Sequence, residues 1–352
     1  MIKKKKNSSI KKILLAFAVI VVVSLIGMGV SFYQKIYSPN IITNDDKQFL
    51  YVPTGSTFDQ LVEIIKRKKI VVNTENFRWV AEQMNLLNNV LPGRYEIKSG
   101  MSNFELVGLL RSGKQTPLKI IINKFRTKED FAFFISSKLE VNRDVFVELL
   151  NDESSLAKIG FTPSTVMCCF VPNTYEFYWN TSANNFLDRM KKEYDLFWNE
   201  GRRGKAVQLG ISVVDVCTLA SILEEETNRN DERPTLASVY LNRLKKGMPL
   251  QADPTIKFAM GDFKIKRVIG KYIEETKNSP YNTYRKQGLP PGPICTPSVG
   301  SIESVLQPTT TDYLYFCASV NKPNYHEFAI TYAEHMKNAR LYHQYLNNKG
   351  IH

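Results

Sequence analysis

The sequence predicts an α+β protein in three parts: a single N-terminal transmembrane helix, a small α+β subdomain and a larger mixed α/β domain. Three observations carry this. A charge-free apolar run sits near the N-terminus, a short strand followed by a capped amphipathic helix then recurs, and beyond about residue 123 apolar residues fall at helical spacing between proline-rich polar loops. The chain has 352 residues, 43% apolar and 23% charged, which excludes disorder, a collagen-like repeat and a disulfide miniprotein. At about 100–200 residues per domain, the length accommodates about two domains.

Residues 13–33 (ILLAFAVIVVVSLIGMGVSFY) contain no charged side chain. At ~1.5 Å per residue a helix of this length spans about 31 Å, the thickness of a bilayer's hydrocarbon core. A cleaved signal peptide would have an apolar region of only ~7–15 residues ending in small residues of A-x-A type, which this run lacks. Lys3, Lys4, Lys5, Lys6, Lys11 and Lys12 precede the run and only Lys35 follows closely. Residues 1–12 are therefore expected as a cytoplasmic tail, with the chain beyond about Gln34 on the far side of the cytoplasmic membrane. The same six lysines supply much of the net charge of +13. No basic stripe interleaved with aromatics stands out, so a nucleic-acid partner is not expected.

A polar linker is expected over 34–47, followed by the subdomain over 48–123. There Leu50-Tyr51-Val52 reads as a strand, and Ser56-x-x-Asp59 has the spacing of a capping box ahead of Phe58, Leu61, Val62 and Ile65 at i, i+3, i+4, i+7. Ser102-x-x-Glu105 repeats the device after the β-prone Tyr95-Glu96-Ile97, with Leu106, Leu109 and Leu110 behind it, and Leu118 to Ile122 reads as a closing strand. The remaining part, 124–352, opens on Thr127-x-x-Asp130 and a mostly helical stretch. Between Asn228 and Pro308 it becomes dense in polar residues, turn formers and prolines, the kind of rigid loop that lines a site held by helices. Tyr313 to Cys317 reads as a strand and Thr331 to Tyr345 as a terminal helix.

Several chemistries are excluded by spacing. Five cysteines, an odd number with no C-x-x-C pair, do not form a disulfide framework or a zinc ribbon. The four histidines, His326, His335, His343 and His352, form no H-E-x-x-H and no ligand-spaced cluster, so neither a metal nor a cofactor is indicated. A nucleophilic serine system lacks its G-x-S-x-G elbow. His326, just after a strand, reads as structural.

What remains is a cluster of acids. Ser212-x-x-Asp215 starts an apolar helix (VCTLASIL) that ends in Glu224-Glu225-Glu226-Thr227. Three carboxylates at a helix C-terminus repel one another and face the negative pole of the macrodipole, each at a cost of a few tenths to ~1 kcal/mol. Either this is a solvated helix end, or a helix that continues to Asn230, or something other than helix stability retains at least one of the three. Glu224 follows Ala220, Cys217 and Val213 on an apolar stripe, Glu226 follows Leu223, Ile222 and Leu219, and Glu225 lies over Thr218 and Ser221 as the expected spectator. Spacing does not separate Glu224 from Glu226. A carboxyl partly buried among apolar groups has a raised pKa, as a general acid requires.

With these residues in view, the chain resembles the endolytic murein transglycosylases of the MltG (YceG-like) family. Six ordered blocks carry the resemblance: Ala220 to Thr227, Ala237 to Leu244, Leu250-Gln251-Ala252-Asp253-Pro254-Thr255, Tyr281-Asn282-Thr283-Tyr284, Gly288 to Ile294 and Tyr313 to Phe316. The resemblance implies a single N-terminal anchor, a LysM-like subdomain and a catalytic domain that cleaves peptidoglycan glycan strands internally. It places the family's catalytic glutamate on Glu224. The implied reaction is lytic: Glu224 protonates the oxygen between N-acetylmuramic acid and N-acetylglucosamine, then takes the proton of the muramic C6 hydroxyl, which closes on C1 and leaves a 1,6-anhydro end. Because the nucleophile is intramolecular, neither a second carboxylate nor a positioned water is needed. Glu226, Asn242, Arg243, Gln251, Asp253, Tyr281, Asn282 and Thr283 are candidate substrate contacts, while Pro290, Pro291 and Gly292 are expected to fix a loop. A link to the cell-wall synthesis machinery rests on the resemblance alone.

Two departures stand out. Asn173 in Pro172-Asn173-Thr174-Tyr175 takes the place of the family's usual aspartate, and Lys257-Phe258-Ala259 stands where a Tyr-Gly pair is more usual. Neither position is expected to touch Glu224. Two other functions compete: a hydrolytic muramidase using Glu224 with a second carboxylate such as Asp253, and a non-catalytic peptidoglycan-binding protein acting through the 48–123 module.

Overall fold

The computed structural model describes residues 3–43 and 47–348. Residues 44–46 of the expected linker, and the chain ends at 1–2 and 349–352, lie outside the described residues. The architecture mixes helix and strand, as the sequence predicts, and divides into two compact units, 1–118 with 177–180 and 119–176 with 181–352.

The first unit opens with α1 (Lys3–Tyr37). Its stretch Ile10–Tyr37 reaches a mean hydropathy of 2.9, with none of its most apolar window buried by the rest of the chain, so it is long and apolar enough to cross a membrane. Then come β1 (Gln48–Val52), α2 (Phe58–Arg67), α3 (Thr74–Gln83), β2 (Gly93–Ile97) and α4 (Asn103–Ser112). β1 and β2 pair antiparallel with Leu50 opposite Tyr95. One face of each strand is buried beneath the helices, where Leu50, Val52, Tyr95 and Ile97 join Phe58, Leu61, Ile65, Phe77, Leu106 and Leu110 in one apolar core. The α4 cap forms on Ser102 with Glu105 as expected. The α2 cap forms one residue later than expected, on Thr57 with Gln60. Gly55 turns the chain with φ 78° and the Ser56 N–H is held by the Pro53 carbonyl, so Ser56 belongs to the turn and cannot cap.

The second unit contains β3 (Leu118–Ile122, from residue 119), α5 (Lys128–Ser136), α6 (Arg143–Leu149), α7 (Glu153–Lys158), a short 3-10 turn, β4 (Asn173–Phe177, to residue 176), α8 (Ala183–Phe197) and α9 (Glu200–Gln208). These are followed by α10 (Val213–Glu226), α11 (Arg233–Lys245), α12 (Asp253–Met260), α13 (Gly270–Glu275), α14 (Val299–Leu306), β5 (Tyr315–Ala318), β6 (His326–Ala329) and α15 (Tyr332–Asn348). β3 pairs with β4, and β5 pairs antiparallel with β6. α10 is the axis of this unit: every residue from Val216 to Leu223 is buried, against α11, α12 and α14. A helix apolar on all sides is a core helix. It ends at Glu226, because Thr227 is extended with φ −143° and ψ 142°. All three glutamates therefore crowd its last turn.

A buried polar knot ties the end of α1 to the rest of its unit. The Asn40 amide donates to Asn103 Oδ1 at 2.6 Å and accepts from the Asn73 N–H at 2.8 Å, while the Asn103 amide donates to the Lys35 carbonyl at 2.8 Å. Asn103 is 1% exposed. Asn103→Ala is expected to strand these groups and lower stability by about 1–3 kcal/mol. Urea unfolding of the detergent-solubilised full chain checks this; an unchanged midpoint would show the knot to be dispensable.

Candidate active site

The last turn of α10 gives each of its three glutamates a different environment. Glu224 points toward the start of α14. Its Oε2 accepts from the Ser298 hydroxyl at 2.5 Å, the Ser301 hydroxyl at 2.6 Å and the Ser298 N–H at 3.2 Å, and Oε1 lies 3.5 Å from Arg233 Nη2. Ser298 is the N-cap of α14, so the carboxylate occupies the place an anion takes at a helix N-terminus. The Arg233 side chain is 6% exposed and that of Glu224 13%. Arg233 is held in turn by the Thr227 carbonyl and by Ser298. Burial pushes the Glu224 carboxyl up, but the hydrogen bonds from Ser298 and Ser301 and the charge of Arg233 outweigh it, and its pKa is net lowered. The sequence expectation of a raised pKa is thus reversed, because the partners come from residues far along the chain.

Glu225 is clamped. Arg126 donates to both of its oxygens at 2.9 Å and Lys124 stands 3.3 Å away. Glu226 turns the other way and accepts from the Tyr240 hydroxyl at 2.6 Å. Burial raises its pKa, with the nearby Asp253 charge adding to the rise. The raised carboxyl that the sequence analysis sought is present, on Glu226.

The glutamates face separate hollows. A cleft of about 260 Å³ is lined by Glu224, Glu225, Lys124, Arg126, Asn228 and Lys257, together with Pro254, Phe263 and Ile294. Lys257, one of the two departures, lines the same cleft as Glu224, which its distance in sequence concealed. A second hollow of about 350 Å³ brings together Glu226, Arg243, Gln251 and Asp253 with Tyr284 and His326. Asp253 accepts from the Tyr284 hydroxyl at 2.5 Å, and burial raises its pKa. A larger depression of about 610 Å³ on the first unit is lined by Pro53, Gly55, Asp59 and Glu63 among others.

The other sequence candidates line neither second-unit hollow. The Asn242 amide donates to the Thr311 and Tyr313 carbonyls at 2.8 and 3.0 Å. Asn282 is fully buried, donating to the Ile273 carbonyl and Thr276 and accepting from the Tyr284 and Arg285 N–H groups. Thr283 is buried too, its hydroxyl accepting from the Ala252 N–H and bonded to Thr255. Tyr281 packs its ring 4.7 Å from Phe258, the position next to Lys257. Arg243 lines the second hollow but directs its donors to the Leu314 and Leu250 carbonyls. Gln251 is held at φ 53° by the loop.

The proline-rich loop is fastened behind Glu224. The Ile294 N–H donates to the Ser221 hydroxyl at 2.9 Å, and Thr296 exchanges hydrogen bonds with the Phe125 backbone. Gly292 passes so close to the Ser164 carbonyl that a Cβ there would lie 1.9 Å from its oxygen. His326 is structural, its backbone N–H and ring nitrogen both bonded to the buried Glu232. Sequence reasoning missed Ser298, Ser301, Arg233, Lys124 and Arg126; the only local signal was Ser298-x-x-Ser301 at the start of a short apolar helix.

With this geometry in hand, comparison with known proteins is informative. Residues 50–341 match the model of the YceG-like family. The endolytic murein transglycosylase of Bacillus subtilis (strain 168) is 30% identical over 314 residues, 85% of this chain and 85% of that protein. That of Streptococcus pneumoniae (strain ATCC BAA-255 / R6) is 24% identical over 378 residues, 97% of this chain and 66% of its own length. The crystal structure of a yceG-like protein from Listeria monocytogenes is similar with a TM-score of 0.56 and 31% identity, covering 83% of this chain and 98% of that one.

The depressed Glu224 pKa has a stability consequence. Its contribution is present above the ordinary carboxylate range and is lost as pH falls through the depressed value. Ser301→Ala is expected to cost about 1–3 kcal/mol at neutral pH and progressively less in acid. Urea midpoints measured across that range check this; a pH-independent loss would show that Ser301 acts only through packing.

Proposed function

The chain belongs to the YceG-like family, and from that premise we propose that it is an endolytic murein transglycosylase acting through Glu224. One observation carries the residue assignment. Glu224 lines the 260 Å³ cleft with one cation, Arg233, at 3.5 Å, whereas its neighbour Glu225 is paired with both Arg126 and Lys124. The names of the Bacillus and Streptococcus relatives support the substrate class.

In the proposed reaction the bound strand covers the cleft and excludes water, which raises the Glu224 pKa and lets it carry a proton. Glu224 gives that proton to the glycosidic oxygen between N-acetylmuramic acid and N-acetylglucosamine, and the C1–O bond breaks. The carboxylate then takes the proton of the muramic C6 hydroxyl while O6 bonds to C1, which regenerates the acid and leaves a 1,6-anhydro end. Ser298, Ser301 and Arg233 orient the carboxylate and stabilise its ionised half-cycle. Asp253 lines the other hollow, away from this cleft, which favours the lytic course over a hydrolysis needing a second carboxylate for water.

We further propose that α1 is a single-pass anchor in the cytoplasmic membrane with residues 1–12 inside, supported by the six lysines before the apolar run. The β1–α2–α3–β2 module acts as a LysM-like glycan-holding unit, and the cell-wall synthesis machinery supplies the nascent strands.

Two experiments test the proposal. Mass spectrometry of purified glycan strands treated with the detergent-solubilised full chain is expected to show internal fragments with anhydromuramic ends, reduced by about 10²-fold or more in Glu224→Gln, which should stay folded and still bind strands. Reducing ends would instead establish a hydrolase, and binding without cleavage by either form would establish a wall-binding protein. For topology, protease added outside intact spheroplasts should digest the chain beyond residue 38; full protection would place it inside and sink the anchor reading.

A further inference from the structure

A third cavity shares wall residues with both the Glu224 cleft and the Glu226 hollow. It has a volume of about 670 Å³ and lies between the β5–β6 turn and the C-terminal half of α15. Asn228 lines both this cavity and the Glu224 cleft, while Glu226, Ala318 and His326 line both it and the Glu226 hollow. The three spaces therefore share walls around the end of α10.

We propose that the 670 Å³ cavity is a distal sugar-binding subsite, in which Tyr342 and Tyr345 of α15 form a stacking platform for a hexosamine of the glycan strand. This rests on the reading of the chain as a strand-cleaving enzyme, because an enzyme that cuts inside a polymer must hold sugars beyond the two that flank the broken bond. Three features argue for a sugar. Tyr342 and Tyr345 stand at i and i+3 on one face of α15, with ring centroids 6.4 Å apart and planes inclined by 24°, so they bring two aromatic rings to the cavity wall, where the apolar face of a pyranose can pack. Around them Asn228, Arg229, Ser319 and Asn324 supply the mixture of donors and acceptors that hydroxyl and acetamido groups need. This mixed lining suits a polyol better than a lipid chain or an apolar helix.

The walls are fixed independently of any ligand. Tyr325 is occupied as structure: the Arg229 guanidinium lies 4.8 Å and the Lys322 ammonium 4.4 Å from its ring centroid, and its hydroxyl donates to Asp231 at 3.0 Å. α15 is held at its start by Glu334, which accepts from the Ile330 and Thr331 N–H groups, and by His335 stacked 5.4 Å from Tyr315. The tyrosine pair lies two to three turns further along, at the cavity.

The test uses the detergent-solubilised full chain carrying Glu224→Gln, so that strands survive, with peptide-free peptidoglycan glycan strands as the probe and calorimetry as the readout. Adding Tyr342→Ala and Tyr345→Ala together should weaken strand binding about tenfold, equivalent to about 1.4 kcal/mol. Binding of a disaccharide, which carries only as many sugars as flank the broken bond, should be unchanged. The corresponding Phe pair should bind strands as the parent does, because stacking needs the ring and not the hydroxyl. Equal strand affinity in the Ala pair, or a Phe pair as weak as the Ala pair, would overturn the subsite. Cleavage assayed separately with Glu224 intact distinguishes the two readings: tyrosine-dependent binding without anhydro products would sink the lytic function and leave the subsite standing.

Discussion

The structure of the second unit turns on the meeting of two helix ends. α10 terminates with its negative pole and three carboxylates, and the N-terminus of α14, capped by Ser298, is brought against it. Glu224 bridges the two, accepting from Ser298 and Ser301 with Arg233 alongside. An acidic side chain that is unfavourable at the end of its own helix is favourable at the start of another. The proline-rich loop that leads into α14 is fixed at Ile294 by Ser221, on the same helix that carries the glutamate, and at Thr296 by Phe125, ahead of α5.

The three neighbouring glutamates are separated in charge by what each one meets. Glu225 is neutralised by a bidentate arginine and a lysine, Glu224 is ionised and oriented by hydroxyl donors, and burial pushes Glu226 up beside Tyr240. Environments that push like groups apart are how a site assigns acid and base roles to chemically identical residues. The arrangement also divides the surface: Glu224 and Glu225 face one cleft, Glu226 another, and a third cavity shares Asn228 with the first and Glu226 with the second.

Several residues that offer suitable donors to a sugar spend them inside the chain. Asn242 holds the segment that leads into β5, while Asn282 and Thr283 hold the turn and the α12 entry that presents Asp253 to the second hollow. Gly292 serves the same end by close approach, since any side chain would collide with the Ser164 carbonyl. Their motif character is explained by backbone geometry.

Much of the fold was legible in the residues themselves. The charge-free run, the capping boxes on Ser102 and Ser212, the strands at Tyr95 and Tyr315 and the apolar helix ending in glutamates all depend on interactions within a few positions, which spacing records. Even there, the shift of the α2 cap from Ser56 to Thr57 followed from a turn that the pattern did not show. The ordered motif blocks pointed to the family. Tertiary structure alone decided the chemistry of the acidic cluster, because the partners of Glu224 and Glu225 lie some 70 to 100 positions away in sequence, at Ser298, Ser301 and Arg126. It likewise brought Lys257 to the cleft and set Tyr342 and Asn228, more than 100 residues apart, on the walls of one cavity. A pKa is fixed by the charges and donors surrounding a group in space, and those are known only once the chain has folded.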